Sequence, residues 1–468
     1  MENTLLIKLR DGKELSLREQ ILLIIQLSIP AILAQVSATV VSFIDASMVG
    51  SLGANASASI GLVSSTTWVF GGIISAVSTG FTVQVARYIG AKDEKSARLV
   101  VKEGLLIGLI FAACLVCLGL IASQIMPTWL GGSEEIKGDA TIYLMVYAIC
   151  IPIVQMNTMA GGMLQCAGNI RLPSILNTLM CILDACFNFF FIFPTRSWHG
   201  ILIPGAGLGV LGAALGTACA ELVVASLMLY ALLFQSPMLR IWGRKSFHGP
   251  EVFYFNIRHL KAAVQVGLPV AIEQLIMGSS YIIVTKIVAP LGTISIAANS
   301  FGITAEGLCY MPGFGIGVAA MTIVGQTIGA GRKELAHKLG WLATLIGMGV
   351  MAVMGVLMYI LAPVEMRLLS PDAEIITLGV QILRIEAFAE PFYGASIVAA
   401  NVLRSAGDSL TSSAMNLLSI WLVRLPLSFL LAANMGLRGV WTGMCIELIV
   451  RGILFLFRLT RKNWIKKL

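Results

Sequence analysis

The sequence predicts an all-α polytopic membrane protein, with twelve transmembrane helices in two parallel six-helix repeats around a central cavity. Three observations carry this. First, of 468 residues 57% are apolar and only 12% charged, where a soluble chain carries about a quarter charged; mean hydropathy is +0.88. Second, the apolar residues fall into twelve runs, each able to supply the roughly 20 residues a bilayer-crossing helix needs. Third, the chain matches itself at an offset of 239 residues. A soluble enzyme, a disordered chain and a nucleic-acid-binding domain are excluded. The net charge of +8 does not argue for nucleic acid, because the basic residues sit between the apolar runs as topology signals do.

Taken in order, residues 1–19 mix both charge signs and lack a cleavage site, so they are not a signal peptide. Ser16 and Glu19 fit a capping box that opens the first long helix. The expected span cores are 21–49, 60–85, 99–125, 140–167, 172–193 and 207–234, then 262–288, 296–325, 338–362, 376–403, 411–433 and 437–458. Several exceed the minimum length, so tilt or kinking at Pro30, Pro152, Pro269 and Pro391 is expected. Lys and Arg between spans number 24 on the side of the termini and five on the other. This bias places both termini in the cytoplasm of a multi-pass inner-membrane protein. Residues 1–235 form the first lobe, 236–261 a basic cytoplasmic linker and 262–468 the second lobe. No stretch outside the spans is long enough for a nucleotide-hydrolysing domain.

The repeat is ungapped over long stretches. Pro30 falls on Pro269, Gln35 on Gln274, Gly53 on Gly292, Gly90 on Gly329, Pro152 on Pro391, Gly168 on Gly407 and Asn177 on Asn416. Near the end of each half, Gly209 and Gly212 meet Gly436 and Gly439 at offset 227, so the first half has 12 extra residues around Trp198. Six spans per half is an even number, so both halves enter from one side. They are parallel repeats about an axis along the membrane normal, as in rocking secondary transporters.

Features shared by the halves serve the fold; polar residues present in one half only are candidates for function. A carboxylate in a span costs roughly 2.5–3.5 kcal/mol, so it persists with a partner or a task. By the ungapped offset Asp45 falls on Val284 and Asp184 on Val423, while Glu273, Glu306, Glu386 and Glu390 fall on Ala34, Thr67, Tyr147 and Ile151. Asn177, Cys181 and Asn188 share a helix face with Asp184, and Ser42 lies one turn from Asp45. Two carboxyl groups withdrawn from water and close together oppose double ionisation. Such a pair takes up a proton, or exchanges it for sodium, when its access changes; the alternative is a structural hydrogen bond to a neighbouring helix.

In the second half, Glu273 and Gln274 stand one turn after Pro269. They are expected to face the cavity with Gln35, Glu306 and Tyr310 and to neutralise a cationic substrate. Residues 311–317 are glycine-rich, which suggests a broken helix. Glu386 and Glu390 form either a site or a structural pair with Arg384. Glu447 and Arg451, at i and i+4, read as an intrahelical ion pair. Glu221 has no partner assignable from sequence.

Weaker signals add little. The nine cysteines, an odd number, lie in apolar runs and make no disulfide framework; Cys114 and Cys117 read as packing residues. His199, His248, His259 and His337 fall in expected loops, so no haem or zinc site is foreseen. Gly207, Gly209 and Gly212 spell GxGxxG but open a span, without the βαβ unit a dinucleotide needs. Gly104 and Gly108 form a GxxxG that predicts close helix packing.

Together, several motifs resemble the multidrug and toxic compound extrusion (MATE) family. They are Pro30-Ala-Ile-Leu-Ala-Gln35, Phe43-Ile-Asp45-Ala-Ser-Met-Val-Gly50, Ile89-Gly90-Ala91, Leu164-Gln-Cys-Ala-Gly168, Leu183-Asp184, Gly212-Ala-Ala-Leu-Gly-Thr217, Gly325-Gln326-Thr-Ile-Gly329 and Leu403-Arg404-Ser-Ala-Gly407-Asp408. The resemblance spans essentially the whole chain. It implies a non-enzymatic antiporter that exports amphipathic, often cationic, organic compounds while protons or sodium ions run inward. It implies no cofactor beyond the coupling ion, a monomer among membrane lipids, and an ion site at Asp45, Asp184 and Thr217, with sodium as one candidate ion there. Where relatives have Asn one turn before the span-five acid this chain has Met180, so an oxygen ligand must come from Asn177 or Asn188. The span-ten Asp that some relatives use for sodium is absent. The rival within transport is a flippase for a lipid-linked precursor; it would need a basic cavity, whereas the charge inside these spans is mainly acidic. A membrane enzyme would need an interfacial His or Ser/His/Asp cluster, and the sequence offers none.

Overall fold

Within a bilayer every backbone N–H and C=O must be met inside the chain, which leaves helices as the spanning element for a sequence of this kind. The computed structural model describes residues 4–130, 132–198, 201–241 and 256–466. Residues 242–255 of the expected linker, with His248, lie outside the described residues, as do His199 and the side chain of Ser42.

The first half contains α1 (Thr4–Arg10), α2 (Leu17–Gly50), α3 (Ala54–Gly90), α4 (Glu94–Trp129), α5 (Glu134–Cys166) and α6 (Arg171–Ile192). A hairpin of β1 (Pro194–Trp198) and β2 (Ile201–Ala206) follows, and then α7 (Gly209–Tyr230). The second half contains α8 (Ile257–Val288), α9 (Thr293–Gly329), α10 (Lys333–Leu369), α11 (Ala373–Glu386), α12 (Glu390–Ser405) and α13 (Ser409–Ser419). It closes with a π turn (Ile420–Arg424), α14 (Leu425–Met435) and α15 (Leu437–Thr460). Eleven helical segments among the described residues are long and apolar enough to cross a membrane.

The expected tenth span is the exception to continuity. It divides into α11 and α12 because Pro391, in the first turn of α12, has no N–H to continue the ladder. Pro30, Pro152 and Pro269 stay inside unbroken helices. The break expected at 311–317 is absent: α9 runs through Pro312, and its glycines serve close packing instead. A methyl group at Gly315 would lie 2.6 Å from the Ile32 backbone nitrogen.

Local signals place the ends. The backbone N–H of Ser16 donates to Glu19 Oε2 at 2.9 Å and that of Glu19 to Ser16 Oγ at 3.3 Å, the reciprocal capping box that starts α2. The repeat recurs in backbone geometry, since Gly168 and Gly407 both turn the chain at positive φ, 95° and 81°. The extra residues of the first half form the β hairpin, the one departure from an all-helical chain among the described residues. His259 and His337 lie in the first turns of α8 and α10 rather than in loops.

The chain forms two compact units. One comprises Ser37–Ile89 and Asp93–Val264; the other comprises the segment up to Val36, Gly90–Lys92 and the chain from Gln265 onward. The first is held by Phe81, Val85, Met159, Met163, Val224 and Met228. Gly104 and Gly108 let Met163 and Met159 approach α4, as their spacing predicts. In the second, Ala298, Met358, Ile382, Trp441 and Leu448 make the core. Helix α4 leaves Ile110, Leu118, Ile121 and Ile125 exposed, the face a helix turns toward lipid.

Candidate functional site

In the unit that holds α6, two carboxylates from distant segments share one donor. Asn188 Nδ2 donates to Asp45 Oδ1 at 3.0 Å and to Asp184 Oδ1 at 3.3 Å. Asp184 and Asn188 are one turn apart on α6, and α2 brings Asp45 to them. The two carboxyl groups are themselves within hydrogen-bonding reach. Asp184 and Asn188 are 2% and 1% exposed and Asp45 is half-buried, so water reaches the pair only from the Asp45 side. Two carboxylates in contact and largely withdrawn from water oppose double ionisation and favour a shared proton or a cation between them. The amide spends both its hydrogens on them, and its own oxygen, Oδ1, is buried without a partner. A carbonyl oxygen beside two carboxylates is the oxygen-only donor set that hard cations take; a proton needs only the carboxyl pair.

The neighbours follow from helix packing. Tyr143 on α5 lies within electrostatic reach of both aspartates. Gly212 and Gly216 bring α7 against α6: a methyl at Gly212 would strike the Phe191 backbone, and one at Gly216 would strike Asn188 Oδ1. Gly216 thus sets where Asn188 points, a role visible in the sequence only as a small residue one place before Thr217. Thr217 is half-buried on α7 and, among the described residues, bonds to neither aspartate. Asn177 is half-buried two turns before Asp184 and also makes no bond to the pair. Of the two asparagines that stood to replace the missing span-five oxygen, Asn188 reaches the acids. Glu221, without a partner in the sequence reading, accepts from Asn157 Nδ2 at 2.8 Å and lies within electrostatic reach of Asp184.

The second-half residues divide into occupied and unoccupied carboxylates. Glu273 is 2% exposed. It takes Arg404 on both oxygens at 3.0 and 2.9 Å, Ser413 Oγ at 2.6 Å and Asn416 Nδ2 at 2.7 Å. Its charge is therefore met inside the unit. Glu447 and Arg451 make the two-point i, i+4 pair that their spacing predicts, at 2.7 Å on both contacts. By contrast, both oxygens of Glu386 and of Glu390 are buried without hydrogen-bond partners. Arg384 does not pair with them; it turns to the Tyr359 carbonyl at 3.4 Å and lies over the Tyr359 ring. Glu306 is buried near Glu386 and Glu390, and Tyr310 packs edge-on against Tyr393 beside it. Gln35 and Gln274 are half-buried on α2 and α8. The nine cysteines are free thiols.

Comparison with known proteins places the chain as a whole. The MatE family model matches residues 30–190 and 269–430, one match in each half. The probable multidrug resistance protein NorM of Thermotoga maritima is 26% identical over 451 residues, covering 95% of this chain and 93% of that protein. Multidrug and toxin extrusion protein 1 of Oryctolagus cuniculus is 23% identical over 459 residues, covering 96% and 76%. Among solved structures, a MOP superfamily transporter from Pyrococcus furiosus superposes with a TM-score of 0.87 at 20% identity over 100% of both chains.

Proposed function

The chain belongs to the MATE family, a family of transporters rather than enzymes, and from that premise we propose that it is a secondary antiporter. It carries amphipathic, often cationic, organic compounds out across the cytoplasmic membrane, in which it is a multi-pass protein with both termini in the cytoplasm. Protons or sodium ions flow inward in exchange. It works as a monomer among membrane lipids, with no cofactor other than the coupling ion.

The observation that carries this reading is the Asp45–Asn188–Asp184 triad. A buried carboxyl pair holds a proton or a cation in one access state and releases it when the site is rehydrated. Occupancy by the ion and by a cationic substrate then oppose each other, and the free energy of the ion gradient drives export. Relatives named for multidrug resistance and for multidrug and toxin extrusion support the substrate class.

The test is efflux of ethidium from vesicles reconstituted with the protein, with a pH gradient and a sodium gradient imposed separately. One gradient drives export by the parent, and Asp45→Asn and Asp184→Asn each abolish the driven component. Driven export at parental rates in both variants would remove the reading.

A further inference from the structure

The two halves do not carry the same register through their fifth spans. Up to Gly168/Gly407 and Asn177/Asn416 the offset is 239. Beyond the π turn it is 240, as the close contacts of four glycines record. Gly212 lies against the backbone of Phe191 and Ile192, and Gly439 against that of Leu431 and Ala432. Gly216 lies against Asn188, and Gly443 against Ser428. A π turn adds one residue to a helix, and this one closes where the backbone N–H of Leu425 donates to the Ile420 carbonyl. Past the turn the counterpart of Asn188 is Ser428; Arg424, the last residue of the turn, stands four residues before Ser428 as Asp184 stands before Asn188, so it and not Val423 is the counterpart of Asp184.

A side-chain contact agrees. Arg424 donates to Met444 Sδ at 2.6 Å, and Met444 is the counterpart of Thr217 at the 227-residue offset of Gly216 and Gly443. The set Asp45, Asp184, Asn188 and Thr217 becomes Val284, Arg424, Ser428 and Met444. One half offers titratable oxygens; the other offers a permanent cation and a thioether. Arg424 lies within electrostatic reach of Glu306 on α9, Glu386 on α11 and Glu447 on α15. None of these is within ion-pair distance of it among the described residues, and Glu447 is already paired with Arg451.

We propose that Arg424 is a built-in counter-cation: it fills the second half's copy of the ion site, excludes a coupling ion from it, and supplies the positive charge its buried glutamates would otherwise draw from solution. A guanidinium stays protonated throughout the physiological range and carries no proton acceptor, so this copy exchanges nothing. Coupling is confined to Asp45 and Asp184, a claim that rests on the antiport reading above.

The experiment counts ions displaced by ethidium from the purified protein in detergent, as protons released into weak buffer and as radioactive sodium lost. In the parent, Asp45→Asn abolishes displacement while Glu386→Gln leaves it unchanged. Arg424→Gln doubles the count, Glu306→Gln in that background restores the parental value, and Arg424→Lys keeps it. A parental count in a folded Arg424→Gln protein overturns the proposal. Should Arg424→Gln not fold, a count lowered by Glu386→Gln in the parent background overturns it instead, and an unchanged count upholds it. Displacement that survives Asp45→Asn contradicts the antiport reading itself, whatever Arg424 does.

Discussion

Asn188 and Asp45, 143 residues apart, are joined at 3.0 Å by an amide that also holds Asp184. The triad is a fixed arrangement of oxygens, buried at Asp184 and Asn188 and half-buried at Asp45, and the amide that organises it has no charge of its own. Replacing Asn188 with Leu keeps the branched shape and removes both donated bonds. Hydrogen bonds to charged groups are worth about 1.5–3 kcal/mol each, so ion-driven ethidium export should fall by roughly tenfold or more while the protein still folds. Transport at the parental rate in Asn188→Leu would show that the amide is incidental.

Gly216 and Gly443 occupy matching positions with different consequences. Alanine at Gly216 collides with Asn188, whereas at Gly443 it collides with Ser428. Overpacking of this kind costs about 1–3 kcal/mol, so both variants should melt earlier in detergent. Only Gly216→Ala should also weaken the ion dependence of export, because only there does the displaced group hold carboxylates. Equal effects on ion dependence would count against the triad.

The Glu447–Arg451 pair is buried and two-pronged. Removing one partner leaves an uncompensated charge, at a cost of about 3–5 kcal/mol. Arg451→Met should therefore destabilise strongly, and adding Glu447→Gln should recover much of the loss. Thermal melting of the two variants decides this; a double variant no more stable than the single one would contradict it.

Lys92 donates to Asp11 at 2.7 Å and holds that exposed carboxyl below the usual carboxylate range. A depressed folded value contributes stability that is present above 3.8, the ordinary value, and is lost as pH falls through the folded one. Protection of the α1 amides, measured against their intrinsic exchange rate at each pH, should stay constant down to that range and fall below it. In Asp11→Asn that protection should be lower already at neutral pH and flat on acidification.

Much of this was legible in the sequence because it is local or periodic. The capping box at Ser16 and Glu19, the i, i+4 pair at Glu447 and Arg451, and the interruption at Pro391 each need only a few adjacent residues. Asp45 and Asp184 stood out because the repeat does not share them. What stayed hidden depends on helix packing. The three donors around Glu273 come from α12 and α13, more than a hundred residues away. Asn157 meets Glu221 across α5 and α7, and nothing near either residue announces the other. The single residue inserted by the π turn has no signature in composition, yet it exchanges Val423 for Arg424 opposite Asp184. The β hairpin, likewise, was visible only as surplus length.

The central claim is thermodynamic: ion and substrate compete through one buried carboxyl pair. Its most direct measurement is the affinity of the purified protein for ethidium as a function of pH and of sodium concentration, in the parent and in Asp45→Asn and Asp184→Asn. Ethidium binding by the parent should weaken as the coupling ion rises, with a linkage slope that vanishes in both variants. The same slope in parent and variants would contradict the account.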